Sequence, residues 1–131
     1  MKKSINIGLL GLGTVGTGVV QVLERNRDLI KSRIGVPLNV VRIAVRDIKK
    51  DRGISLENGV ITTDPFDVIR DPNVDIVLEL IGGCDQAREL VLATIAEKKP
   101  LVTANKALLA EHGPELRALS SQMGVSFRFE A

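Results

Sequence analysis

Strand-like and helix-like patterns alternate along the whole chain, and the alternation predicts an α/β domain. The expected architecture is a doubly wound parallel sheet with helices on both faces, three layers in the order α/β/α. Two observations carry this beyond the alternation itself. Runs rich in valine, isoleucine and leucine recur as short segments that read as buried parallel strands. The length, 131 residues, suits one domain with one core and is too short for two ordinary ones.

Taken in order, Ile5 to Leu10 is the first strand, stopped by Gly11. After Gly16 the period turns helical, with Val15, Val19, Val22 and Leu23 as the apolar stripe and Leu29 and Ile30 continuing it. This predicts one long helix through Arg33, ended by Gly35 and Pro37. Leu38 to Val45 is the second strand. The polar segment from Lys49 to Asn58 reads as a loop, with a weak strand near Val60 to Thr62. Asp64-Pro65 starts a short helix, an N-cap acceptor followed by proline at the first helical position. Phe66, Val68 and Ile69 face inward from it, and Asp71-Pro72 ends it. Asp75 to Ile81 is a further buried strand, closed by Gly82-Gly83. Asp85 is expected to cap a helix carrying Ala87, Leu90, Val91 and Ile95 on one face, broken by Pro100. Leu101 to Thr103 is a short strand, and a brief helix covers Ala107 to Ala110. Gly113-Pro114 is read as the opening of a last helix with Leu116, Leu119 and Met123, closed by Gly124 before a strand from Val125 to Glu130. Because the chain stops inside or just after that strand, a cut between domains is expected there.

Composition excludes several classes. Apolar residues at 44% and charged residues at 26% are those of a globular protein, not a disordered one. The net charge of +2 does not call for nucleic acid or a membrane surface. Aromatics are confined to Phe66, Phe127 and Phe129, too few for a base-stacking platform. The single cysteine, Cys84, forms no internal disulfide and no thiolate zinc cluster, and the single histidine, His112, leaves no His-rich metal site. An intracellular, cytoplasmic setting is therefore expected. Met1, Lys2 and Lys3 before an apolar run mimic a signal peptide, but glycines at 8, 11, 13, 16 and 18 interrupt the run well short of the ~20 apolar residues of a membrane span.

The chemistry-bearing motif is Gly11-Leu12-Gly13-Thr14-Val15-Gly16, a G-x-G-x-x-G that follows a strand and opens a helix. In a Rossmann-type fold Gly11 allows the tight turn, Gly13 lets a pyrophosphate approach, and Gly16 lets helix and strand pack closely. The N–H groups of Thr14, Val15 and Gly16, with the helix dipole, favour a diphosphate. The alternative is a packing turn with no ligand.

At the end of the second strand stand Arg46 and Asp47, further along than the usual spacing of about twenty residues. Arg46 suits the extra phosphate of NADP, with Lys49 or Lys50 adding charge, whereas Asp47 suits the ribose hydroxyls of NAD. Arg46 comes first off the strand, which favours NADP. Both also read as ordinary solvated charges. Glu79-Leu80-Ile81-Gly82-Gly83 ends the middle strand, and its glycines offer a flat floor for the nicotinamide ribose or simply a turn. Glu79 needs a partner if it is buried, or else sits at the strand's open end. Val102-Thr103-Ala104-Asn105-Lys106 ends the next strand on the same edge. Lys106 there can stabilise charge on a carbonyl during hydride transfer, or help move a proton. By spacing alone it reads rather as the solvated start of a helix, since surface lysines are common. Cys84 reads as a small buried residue and His112 as a solvated helix end.

Together these segments resemble the N-terminal cofactor domain of the homoserine dehydrogenase family. The likeness runs through Gly11 to Gly18, Val45-Arg46-Asp47, Glu79 to Gly83, Val102 to Leu108 and Phe129-Glu130-Ala131, in order, over nearly the whole chain. The resemblance implies an NAD(P)-binding domain spanning 1–131 and NAD(P)-dependent interconversion of L-homoserine and L-aspartate 4-semialdehyde, a step feeding threonine and methionine synthesis. It implies Lys106 at the nicotinamide and substrate, Arg46 at the NADP phosphate, and Thr103 and Gly82 lining the cofactor. It further implies a homodimer, and a substrate and dimerisation domain beyond Phe-Glu-Ala holding a second catalytic lysine and acidic substrate ligands, so that these 131 residues alone are expected to be inactive. Two other readings stay open: a stand-alone NAD(P)-binding module without catalysis, and the cofactor domain of another amino-acid or aldehyde dehydrogenase.

Overall fold

The computed structural model describes residues 3–47, 59–81 and 83–129. Six strands form one sheet: β1 (Ile5–Leu10), β2 (Leu38–Ala44), β3 (Ile61–Thr62), β4 (Ile76–Glu79), β5 (Leu101–Thr103) and β6 (Phe127–Phe129). Their order across the sheet is β3-β2-β1-β4-β5-β6, and every pairing is parallel. The helices are α1 (Thr14–Arg25), α2 (Arg27–Ile34), α3 (Pro65–Ile69), α4 (Asp85–Ala96) and α5 (Lys106–Met123). This is the Rossmann-type sheet that the alternation predicts.

Parallel strands covered on both sides alternate their contacts between two cores. Ile7 and Leu9 of β1 pack with Ile43 of β2 and Val20 of α1. Leu10 instead joins Val68, Val91, Leu108 and Leu116 on the side of α3, α4 and α5. All strand ends that follow β1, β4 and β5 therefore open on one carboxyl edge, the place where such folds bind ligands.

Several local expectations are corrected. The first helix is not continuous through Arg33. Asn26 separates α1 from α2, its backbone N–H and its side-chain Nδ2 both donating to the Val22 carbonyl at 3.0 Å. A short amide side chain that competes for backbone acceptors ends a helix readily. The apolar stripe also faces differently. Val15 and Val22 are exposed; Leu23 packs inward as expected, and Val20, outside the expected stripe, is buried beside it. Gly16 must press against the glycine turn, and that contact rotates the helix so that 16, 20 and 23 share the buried side. Leu29 and Ile34 of α2 are likewise exposed, and no residue of α2 is buried.

The last helix does not open at Gly113-Pro114. Lys106 to Met123 is one helix with Pro114 inside it. The proline ring normally clashes with the Cβ of the residue before it, and Gly113 has none. The carbonyl of Ala110 loses its helical donor, but Ala110 is exposed, so water can replace it. Gly124 closes the helix as expected, in the left-handed region at φ 67°. At α4, Cys84 rather than Asp85 occupies the cap, with no side-chain cap bond, and Asp85 is the first helical residue. Asp64 does cap α3, its Oδ1 accepting from the Phe66 N–H at 2.9 Å.

Candidate functional site

The turn between β1 and α1 is built by close approach. Gly11 has φ 103°, a conformation that side chains resist, and its N–H donates to the Ala44 carbonyl at 2.9 Å. A Cβ on Gly11 would lie 3.2 Å from the Leu80 carbonyl, so the turn is wedged between the ends of β2 and β4. A Cβ on Gly16 would lie 2.7 Å from the Gly11 carbonyl oxygen, which fixes the helix start directly above the turn. Gly13 differs from both. A Cβ built there would meet nothing within 4 Å, so this glycine faces open space at the mouth of a cleft.

Gly13 is also the N-cap of α1, with no side-chain cap bond and no acidic residue in the first turn. The N–H groups of Thr14, Val15 and Gly16 lie in that turn, beyond the reach of any helical carbonyl. The Thr17 N–H is the first to close a helical bond, on the Gly13 carbonyl at 2.9 Å. Uncapped donors, a helix dipole and space above a glycine together fit a diphosphate.

The cleft, of about 300 Å³, runs from Gly11 and Gly13 across the ends of the strands. Arg46 lines it and Asp47 does not. Arg46 is exposed, and its Nη2 lies 3.5 Å from Oε1 of Gln86, near the start of α4. Thr63 and Pro65 form a second side, and Leu80 and Ile81 a third. The sequence reading missed Gln86, Thr63 and Pro65. Their only signal was position, each lying just past a strand end or glycine pair on the edge where ligands bind.

Toward β5 the edge is held by buried polar groups. Glu79 is fully buried. Its Oε1 accepts from the Ile81 N–H at 2.8 Å and its Oε2 from the Thr103 hydroxyl at 2.6 Å. It therefore has the partners that a buried carboxylate requires. Thr103 is itself fully buried, and its Oγ1 also accepts from the Asn105 N–H at 3.0 Å, so its side chain is spent inside the protein and does not reach the cleft. Asn105 caps α5 by accepting from the Leu108 N–H at 3.0 Å, and its Nδ2 donates to the Gly83 carbonyl. Lys106 follows as the first residue of α5, exposed on the same edge but not among the residues that line the cleft. Gly82, expected at the cofactor, lies outside the described residues. The structure thus brings Gly11, Gly13 and Arg46 together around one cleft and sets Lys106 apart from them.

Cys84 is partly buried. Desolvation first, and then the Glu111 carboxylate, push its thiol above the ordinary value, which makes it a poor thiolate nucleophile. His112 lies within α5, not at a helix end, with Nε2 3.8 Å from Glu111. Among the described residues no cluster of histidine, cysteine and carboxylate could hold a metal ion, and no helix is long and apolar enough to cross a membrane.

A parallel sheet in this order, an uncapped glycine turn and an arginine-lined cleft at the carboxyl edge define a Rossmann-type dinucleotide-binding domain. The family described as "Homoserine dehydrogenase, NAD binding domain" matches residues 11–130, and the chain belongs to that family. The homoserine dehydrogenase of Bacillus subtilis is 43% identical over 129 residues, 98% of this chain and 30% of that protein. That of Pseudomonas aeruginosa is 47% identical over 131 residues, 98% of this chain and 29% of that protein. The crystal structure of a homoserine dehydrogenase from Thiobacillus denitrificans superposes with a TM-score of 0.89 at 51% identity, covering 98% of this chain and 30% of that one. The chain thus spans about 30% of the length of these relatives.

Proposed function

We propose that residues 1–131 form the NADP-binding domain of an enzyme that interconverts L-homoserine and L-aspartate 4-semialdehyde. The observation that carries this is the uncapped start of α1 beside a cleft lined by Arg46, in a chain of this family. The backbone of Gly11, Gly13, Thr14, Val15 and Gly16 receives the diphosphate. Arg46 pairs with the 2′-phosphate of the adenosine ribose, and NAD, which lacks that phosphate, binds more weakly. By resemblance to the family Gly82 and Thr103 line the cofactor, Thr103 through its place in the backbone rather than its buried hydroxyl. The cofactor, when bound, supplies the acceptor or donor of a hydride at its nicotinamide ring. Lys106 is the catalytic group. Its Nζ donates a hydrogen bond to the oxygen on the reacting carbon, stabilising negative charge there and steering the proton that the hydroxyl loses or gains.

The remaining parts of this reading are supported by the resemblance to the family. The substrate is a small molecule, not nucleic acid, and the reaction serves threonine and methionine synthesis in the cytoplasm. The complete enzyme is a homodimer, and the second wall of the substrate site comes from further sequence of the kind that the relatives carry. Holding two reactants in attack geometry contributes about 7–11 kcal/mol, so these residues alone bind cofactor without oxidising homoserine. Calorimetric titration of the chain with NADP and with NAD tests the binding half, and homoserine-dependent NADP reduction tests the chemical half. Tight NADP binding with no turnover by residues 1–131, and turnover by the full-length protein, is the expected result. No measurable binding of either dinucleotide would overturn it.

A further inference from the structure

We propose that Glu79 is a positioning residue, acting through a ring of buried and partly buried hydrogen bonds that sets Lys106 at the carboxyl edge of the sheet. This rests on the functional reading above.

Glu79 ends β4 on the side of the sheet that faces α4 and α5, fully buried, and among the described residues no lysine or arginine pairs with it. A carboxylate in such a place persists only where it is needed for its acceptors. Oε1 turns forward onto the Ile81 N–H and so fixes the chain as it leaves the strand. Oε2 crosses to the Thr103 hydroxyl on β5. The same hydroxyl accepts from the Asn105 N–H, and Asn105 Nδ2 donates to the Gly83 carbonyl. The path returns to Glu79 along the backbone. This ring joins both strand ends, Gly83 and the cap of α5, and Lys106 is the residue after that cap.

The ring demands an acid at position 79. Both of its partners, an N–H and an O–H, are donors, and a carboxylate accepts from both. Glutamine has nearly the same shape but one acceptor and one donor group. If its oxygen takes the Ile81 N–H, its NH₂ meets the Thr103 oxygen. That oxygen then accepts twice, counting Asn105, and the hydroxyl proton is left buried without a partner. Glu79→Gln therefore preserves volume while opening the ring.

The test has two readouts. The first, made without cofactor on the chain as it stands, is hydrogen–deuterium exchange. Glu79→Gln should speed exchange of the Asn105 and Leu108 amides by about 10-fold, the effect of one lost buried hydrogen bond, and leave α1 unchanged. Thr103→Val should do the same and Thr103→Ser should not, which keeps the test alive if Glu79→Gln fails to fold. The second uses the full-length protein with NADP and homoserine. Glu79→Gln should lower kcat by up to about 100-fold, as for a reacting group displaced by an ångström, while NADP affinity changes by less than about 3-fold, because the glycine turn and Arg46 stand outside the ring. Unchanged exchange, or faster exchange with normal kcat, would overturn the proposal and leave the functional reading standing. A full-length unmodified protein without homoserine turnover would overturn the functional reading and this proposal together.

Discussion

Replacing glycine by alanine at positions 16 and 18 makes the same chemical change twice in one helix, and the structure assigns the two replacements opposite signs. Both residues lie in α1. Alanine is favoured over glycine inside a helix by about 1 kcal/mol. At Gly18 an added Cβ meets nothing within 4 Å, so Gly18→Ala should stabilise the fold by roughly 0.5–1 kcal/mol. At Gly16 the Cβ would stand 2.7 Å from the Gly11 carbonyl oxygen, a backbone atom. That carbonyl cannot retreat cheaply, because Gly11 is tied to Ala44 and lies against Leu80. Overpacking costs about 1–3 kcal/mol, and subtracting the helical gain of about 1 kcal/mol leaves a net loss of up to about 2 kcal/mol. Urea unfolding of the two variants beside the unmodified chain measures both signs, and NADP titration should show weaker binding for Gly16→Ala alone. Stabilisation by both alanines, with equal NADP affinity, would refute the reasoning about the turn.

Arg46→Ala should weaken NADP binding by ~1.5–3 kcal/mol and leave NAD nearly unchanged, read by calorimetric titration of both; equal losses would remove Arg46 from the phosphate. In the full-length protein Lys106→Ala should cut homoserine turnover by at least ~100-fold with a smaller effect on cofactor affinity, and normal turnover would return this lysine to the surface. The Arg88 guanidinium, 2.7 Å from Glu115, holds the Glu115 carboxyl below its ordinary range, so the folded state favours its ionised form. The pair therefore adds stability above about pH 4.3, the carboxyl's unfolded value, and that contribution fades as pH falls through the lower folded value. Acid unfolding of Glu115→Gln should thus differ from that of the unmodified chain at neutral pH and converge with it in strong acid.

Local chemistry was readable from the residues, and distance was not. Leu101–Thr103 and the Asp64-Pro65 helix start stand where their residue types put them, because strand ends and caps are decided within a few positions. The apolar stripe gives the face of α1 only in part, Leu23 but not Val15 or Val22, since the residue that orients the helix, Gly16, acts through a contact with the turn and not through hydrophobicity. Gly113-Pro114 looked like a helix start because either residue alone breaks helices; side by side, the missing Cβ removes the clash. Gln86 stood 40 positions from Arg46, and nothing local links them. Glu79 was recognised as needing a partner, but Thr103 could be found as that partner only once β4 and β5 were paired.

The strand order also sets a schedule for synthesis. β1 emerges first and lies inside the sheet, with β2 on one side and β4 on the other. Each later strand docks on one already made: β2 on β1, β3 on β2, β4 on β1, β5 on β4 and β6 on β5. Each of these later strands finds a neighbour already translated. On a ribosome adding ~5–20 residues per second, the sheet can grow outward from its first strand, first to the left and then to the right. Among the described residues its edge on the left is then the two-residue β3, too short to recruit a stray chain while the right half is still being made.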